Sequence, residues 1–338
     1  MKQNSHMLHL LGRSLFIIAL AISLPARSTE VDSFTSRFEQ QEDAYHEVNV
    51  IVNELIKKCV YRANKYRVNS VGGLYRLCYF SFADSSPWSK IERILNTTDR
   101  IDTRIEGRHH SIYSDFTTRE AFALHLAKLG HTLKIKDFII GSDKLGHFFD
   151  TGFLYYKRAF IKGRGVESAM AFGEFQEDTY YGLSTTGIYS YGDLNANFRG
   201  MLFWKDLTET VHNEDEIFEP YVLWKDGGEG WVLNPKRPFD INEYLDGGLD
   251  EGINCSQYRS KNLDEKVKES LEELSKKYGK YVTCPVSKKL CYDFVKNLKH
   301  KNFTEHLVSP VCLDAAKEYE TEQSTPNLQK TNSNNQHR

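Results

Sequence analysis

The chain has 338 residues, 27% of them charged and 13% aromatic, a composition of folded globular proteins rather than of disordered or collagen-like ones. Its formal net charge of −2 lacks the basic bias of a nucleic-acid binder, so no nucleic-acid partner is expected.

Lys2 and Arg13 flank the start of an apolar stretch from Ser14 to Ala26, and no acid occurs before Glu30. The stretch is short for a bilayer span and reads as a signal peptide over residues 1–28, cleaved after Ser28 in Ala26-Arg27-Ser28. An uncleaved anchor is the alternative. Losing Lys2, Arg13 and Arg27 would move the formal charge from −2 to −5. No later segment has the apolar run of a membrane helix, so the mature chain is expected to be exported, periplasmic or secreted, without a transmembrane segment.

Ala44, Val48, Ile51, Leu55 and Cys59 step by three and four, predicting an amphipathic helix from about Asp43 to Asn64. Between Val68 and Tyr113 the pattern is mixed. Gly72-Gly73 and Ser85 to Pro87 punctuate short elements around Trp88, Ile91 and Leu95. Thr117 with Glu120 forms a capping box ahead of Ala121 to Leu129, which Gly130 stops, and His125 on it reads as a satisfied histidine.

An aromatic-rich helix is predicted from Phe138 to Phe160, with Ser142 as N-cap and Asp143 in its first turn. Another should run from about Val166 to Asp178. Ser190 with Asp193 makes a capping box for a third, Leu194 to Trp204, and the loop from Tyr180 to Tyr189 joins the two. Tyr221 to Trp224 and Trp231 to Leu233 flank Asp226-Gly227-Gly228 and read as a β-hairpin at about 221–233. Val267, Leu271, Leu274 and Tyr278 form one helical stripe, and Ser287 to Leu298 another. From about Thr321 the chain is polar and aperiodic and reads as a disordered tail over 321–338.

Six cysteines follow the leader: Cys59, Cys78, Cys255, Cys284, Cys291 and Cys312. In an oxidising compartment an even set reads as disulfides, with 15 pairings open. Cys59 and Cys78 are the local choice because they lie far from the rest, and the other four would staple the C-terminal third. A zinc framework fits poorly, since no C-x-x-C occurs. The expected fold is mainly α: a helical core domain over 29–257 with one β-hairpin, and a disulfide-pinned helical C-terminal subdomain over 258–320.

Chemistry concentrates between residues 143 and 200. Asp143 with His147, Glu174 with Glu177, and Asp193 with Asn197 each fall on one helix face. If the faces converge, a carboxylate, histidine and amide cluster forms within an aromatic core. The bland account is available for each: Asp143 suits a helix N-terminus with Lys144 as a surface partner, Glu174 to Asp178 suits a solvated helix end, and Asp193 suits a cap. Asn197 is a poor mid-helix residue, and Gly200 one turn on suggests close helix packing.

The residues D-K-x-x-H at Asp143, Lys144 and His147, then Glu174, then S-x-x-D-x-x-x-N-x-x-G at Ser190, Asp193, Asn197 and Gly200, resemble the VanZ-like family over about 138–204. Glu177 stands where a Gln is common there. The resemblance implies a cell-envelope context and a site, but no reaction. VanZ-like proteins are membrane-embedded, whereas Asp137, Asp150, Lys157 and Arg158 interrupt the segments here and argue for a non-embedded relative.

The candidate catalytic residues are therefore His147, Glu174 and Asp193, and the candidate substrate-binding residues Tyr181, Thr185 and Asn197. The candidate ligands of a divalent metal, should the protein use one, are Asp143, His147, Glu174 and Glu177. Asp246 to Asn254, with Asp250 and Glu251, lacks the spacing of a calcium loop. No G-x-S-x-G, H-E-x-x-H or P-loop pattern occurs. Three readings follow: a metal-dependent or acid-base hydrolase acting on envelope lipid or glycan, a non-catalytic envelope binding or scaffold protein with a structural polar cluster, and a glycosidase pairing Glu174 with Glu177 or Asp193.

Overall fold

The computed structural model describes residues 30–83, 89–179, 181–212, 217–225, 227 and 230–324. The leader over 1–28, Ser85 to Trp88, Tyr180, the turn residues Asp226 and Gly228, and the tail beyond 324 lie outside the described residues.

Of the described residues 55% are helical, with small antiparallel sheets attached. Helix α1 (Tyr45–Lys65) pairs with α2 (Val71–Phe82), and α3 (Lys90–Thr97) follows. Strands β1 (Thr103–Arg104), β2 (Thr132–Ile135) and β3 (Phe138–Gly141) make one antiparallel sheet, with the short α4 (Phe122–Leu126) between β1 and β2. A continuous helix, α5 (142–161), contains two π-helical turns, His147–Thr151 and Lys157–Ile161. Next come α6 (Val166–Asp178), β4 (Ile188–Tyr189) and α7 (Tyr191–Asp206).

Strands β5 (Val211–His212) and β6 (Ile217–Phe218) pair, as do β7 (Val222–Lys225) and β8 (Gly230–Leu233), with Trp224 opposite Trp231. Strand β9 (Gln257–Tyr258) returns to pair with β4. The chain closes with α8 (Lys261–Tyr278), α9 (Lys288–Asn297), α10 (Thr304–Leu307) and α11 (Pro310–Ser324). Among the described residues no helix is long and apolar enough to cross a membrane.

Aromatic rings fill the main core. Phe82 stacks on Phe149 at 4.2 Å, Phe203 and Trp204 meet Phe82 edge-on, and the Trp204 indole N–H donates to the Phe149 carbonyl at 3.0 Å. Against this core α5 and α7 approach to backbone contact. A Cβ on Gly152 would lie 2.7 Å from Gly200 Cα, and one on Gly200 would run into the Phe148 carbonyl. The close packing that Gly200 suggested is thus realised, and it aligns the polar face of α7 with that of α5.

The disulfides pair Cys59 with Cys78, Cys255 with Cys284, and Cys291 with Cys312. The first joins α1 to α2 and the last joins α9 to α11. The C-terminal helices divide between two cores: Leu263, Val267, Leu271 and Leu274 of α8 pack with Phe34, Tyr113 and Phe116, whereas Cys291, Phe294 and Cys312 belong to the main core.

Several local expectations are corrected. Residues 138–141 form a strand, because the short run Phe138-Ile139-Ile140 pairs with β2 before the helix begins. Ser142 is the first helical residue and does not cap, since Gly141 holds the N-cap position. Thr117 and Glu120 bond each other, the Thr117 N–H donating at 2.9 Å and its hydroxyl at 2.6 Å, but they do not cap the helix, which has Ala121 at its N-cap and runs only Phe122–Leu126. His125 lies 2.9 Å from the Phe116 carbonyl and is satisfied there. Residues 321–324 are helical, as the end of α11, rather than part of a tail.

Candidate functional site

Lys144 stands at the centre of the polar cluster. Its ammonium lies 2.7 Å from Asp143, 2.7 Å from Asp193 and 2.9 Å from Glu251, and its side chain has no solvent exposure. This corrects the surface role expected of Lys144. Gly192 makes the arrangement fit, for a Cβ there would meet Lys144 Cε at 2.8 Å and Glu251 Cγ at 3.0 Å.

A displaced cap sets the Asp193 carboxylate free. The Ser190 hydroxyl accepts the Asp193 N–H at 3.0 Å, as a capping box requires. The reciprocal bond comes from elsewhere: the Ser190 N–H donates to Glu177 at 3.2 Å, and the Ser190 hydroxyl donates to Glu251 at 2.5 Å. Asp193 therefore points its carboxylate at Lys144 and at His147, whose Nε2 is 3.4 Å away. His147 Nδ1 lies 3.1 Å from Asn197 Oδ1, and the Asn197 amide reaches the Tyr155 hydroxyl at 3.5 Å.

The electrostatics are unequal across the cluster. Burial alone would depress the Lys144 ammonium, but Asp143, Asp193 and Glu251 hold its pKa well above the ordinary lysine value. Burial would raise Asp193, yet His147 and Lys144 bring it below the usual range. Asp143 and Glu251 are raised by burial, with Lys144 opposing. Glu177 is pushed well up by burial and then by Asp193 and Glu30. Glu30 is raised in the same way, by burial and then by Glu251 and Asp193. Glu92, whose buried carboxylate oxygens have no hydrogen-bond partner among the described residues, is pushed to about 8 by burial and then by Asp143. Within the cluster Asp193 is thus the carboxyl held low, while Asp143, Glu251, Glu177 and Glu30 are held high.

Beside it lies a narrow cavity of about 20 Å³, lined by His147, Asp150, Gln176, Glu177, Tyr181 and Asn197 among others. That volume accepts about one water molecule. The structure thus brings His147, Asp193, Asn197, Asp143, Glu177 and Tyr181 together around the cluster and its cavity.

Two expected members stand apart. Glu174 faces away and pairs with His306 at 2.5 Å, with 31% of its side chain exposed. Thr185 bonds the Gly182 carbonyl with its hydroxyl, so it serves the loop's own backbone. Held by His306, Glu174 lends no support to the glycosidase pairing. It also breaks the expected metal set of Asp143, His147, Glu174 and Glu177. Among the described residues no three His, Cys, Asp or Glu side chains come together in a ligand arrangement, and the Lys144 ammonium takes the central position a cation would need.

Sequence reasoning missed Glu30, Glu92 and Glu251. Glu251 carried only a weak calcium reading alongside Asp250, which instead forms a bidentate pair with Arg37 at 2.9 and 2.8 Å. The other two carried no signal, being isolated acids without local partners.

The chain matches no protein-family model, no curated protein and no solved structure.

Proposed function

We propose that the protein is an exported acid-base hydrolase whose reacting groups are His147 and Glu177, acting on an envelope lipid or glycan. The observation that carries this reading is that a buried imidazole and a buried carboxyl whose pKa burial raises line one water-sized cavity. In such a pair Glu177 donates a proton to a leaving group. The His147 ring, steadied by Asn197 at Nδ1 and facing Asp193, takes at Nε2 the proton of a water whose oxygen bonds to the substrate as the bond to the leaving group breaks. Lys144 acts as a positioning residue, fixing Asp143, Asp193 and Glu251. No step requires a metal, and the donor set does not suit one while Lys144 is in place.

Export is supported by the three disulfides and by the leader pattern. The envelope substrate class rests on the VanZ-like residues alone, five of which, Asp143, Lys144, His147, Asp193 and Asn197, meet within the cluster.

A second reading has its own observation. The cavity admits little more than a water, and Lys144, Asp143, Asp193, Glu251 and Ser190 bond one another, as in a non-catalytic envelope binding or scaffold protein whose cluster fixes helix packing. The two separate by experiment. The purified chain is incubated with envelope lipid extract, with peptidoglycan fragments and with chromogenic ester and phosphoester panels, alongside His147→Ala and Glu177→Gln. Turnover lost in both variants while their melting temperatures hold would support the hydrolase. No turnover, with His147→Ala markedly less stable, would support the scaffold.

A further inference from the structure

The far side of α7 carries a second cavity. Asn197 faces the first site, and Arg199, two residues on, projects from the opposite face of the helix. Arg199 opens a cavity of about 280 Å³ that is also lined by Leu202, Lys205, Phe218, Lys299 and His300.

Its charge balance is lopsided in a specific way. The acids on its wall are already engaged: Asp206 accepts from Arg237 at 3.1 Å and from the Tyr244 hydroxyl at 2.9 Å, and Glu243 accepts from Arg237 at 2.8 Å. Asp246 is held by Arg199. The cations are not all engaged. Among the described residues neither Lys205 nor Lys299 has an ion-pair partner, Lys205 meeting only the Phe160 ring, 5.2 Å from its centroid. Arg199 is 95% buried at the side chain, and among the described residues its Nε has no acceptor. Unspent positive charge beside an apolar wall of Leu202 and Phe218 suits a ligand with an anionic head and an apolar body.

We propose that this cavity binds a small organic phosphate, its phosphate between Lys205 and Lys299 beside Arg199 and its apolar part against Leu202 and Phe218. His300 reports on the same field from within. Burial, then Arg199, Lys299 and Lys205, depress its pKa to about 4. The acids on the cavity wall, Asp206 and Glu243, are bridged by Arg237, and Asp246 is bridged by Arg199 itself. A bound phosphate would cancel part of the cationic field and let His300 hold its proton more tightly.

The test is an NMR pH titration of the His300 ring in the isotopically labelled full chain, assigned with His300→Gln. Three probes are compared with buffer alone: inorganic phosphate, phenyl phosphate, and phosphatidylglycerol vesicles against phosphatidylcholine vesicles. The expected result is a rise of roughly one unit in the His300 pKa with phenyl phosphate, absent in a Lys205→Ala/Lys299→Ala double variant, with affinity weakened at least about tenfold. A rise with phosphatidylglycerol vesicles alone would keep the phosphate site and assign its source to a lipid headgroup. No rise with any probe, or an equal rise in the double variant, overturns the proposal. Turnover at His147 plays no part in this readout.

Discussion

The carboxylate of Glu177 accepts the backbone N–H of Ser190 at 3.2 Å, taking the bond that the third residue of a capping box ordinarily makes. One helix thus completes the cap of the next. The substitution releases Asp193 into the cluster and places Glu177, whose pKa burial raises, beside His147. Glu177→Gln retains an acceptor for Ser190 but no titrating proton. It should therefore melt within a few degrees of the parent while losing turnover. Glu177→Ala should also lose about 1 kcal/mol of stability, measured by urea unfolding.

Lys144→Met leaves the carboxyls of Asp143, Asp193 and Glu251 buried around an apolar tip. Breaking such a network from one side costs about 3 to 5 kcal/mol. Denaturant unfolding at pH 7 should show a loss of that size, and it should shrink as the pH falls and the stranded carboxyls take up protons. A loss under about 1 kcal/mol would mean the ion pairs do not hold the helices together.

Glu92 gives a pH dependence of definite sign. Its folded pKa of about 8 lies above its ordinary value of 4.5, so between those limits the folded chain binds more protons than the unfolded one. Stability from this group is full below about pH 4.5 and declines as the pH rises toward 8. Glu92→Gln should remove that decline, amounting to on the order of a few kcal/mol. Unfolding free energies at pH 5 and pH 8 in both proteins measure it, and an unchanged slope would contradict it.

Gly200→Ala drives a methyl into the Phe148 carbonyl. The expected cost is about 1 to 3 kcal/mol, with the α5–α7 spacing, and so the His147–Asn197 contact, disturbed first. A thermal melt and the His147 ring shifts would show both.

Glu174→Ala, by contrast, removes only a partly exposed pair with His306, whose side chain is 40% exposed. Stability should change by less than about 0.5 kcal/mol, and any turnover should persist. Loss of turnover in this variant would return Glu174 to the site.

Much of the helical frame could be read from residue order. Helix α6 runs Val166–Asp178, the limits its pattern predicts, because Gly165 at φ +82° breaks the chain before it. Cys59 and Cys78 pair as their isolation suggested. Half of the site was legible too, since Asp143 with His147 and Asp193 with Asn197 obey helical spacing. The rest depends on long-range contacts with no local trace. Glu251 reaches Ser190 across 61 positions, and nothing near Lys144 in the sequence reveals that three carboxylates will enclose it. Glu174 misled for the converse reason: its spacing from Glu177 placed both on one helix, but the packing of α10 drew it outward to His306.

The enclosure of Lys144 also bears on how the chain is made. A ribosome delivers Lys144 and Asp193 well before Glu251, while Glu30 waits near the beginning of the described chain. No nascent segment ending ahead of Glu251 can seat that ammonium fully, so the polar centre closes only after most of the polypeptide has emerged. A gene split between α7 and Glu251 should accordingly yield two pieces that are unstable alone and recover the centre only on reassociation.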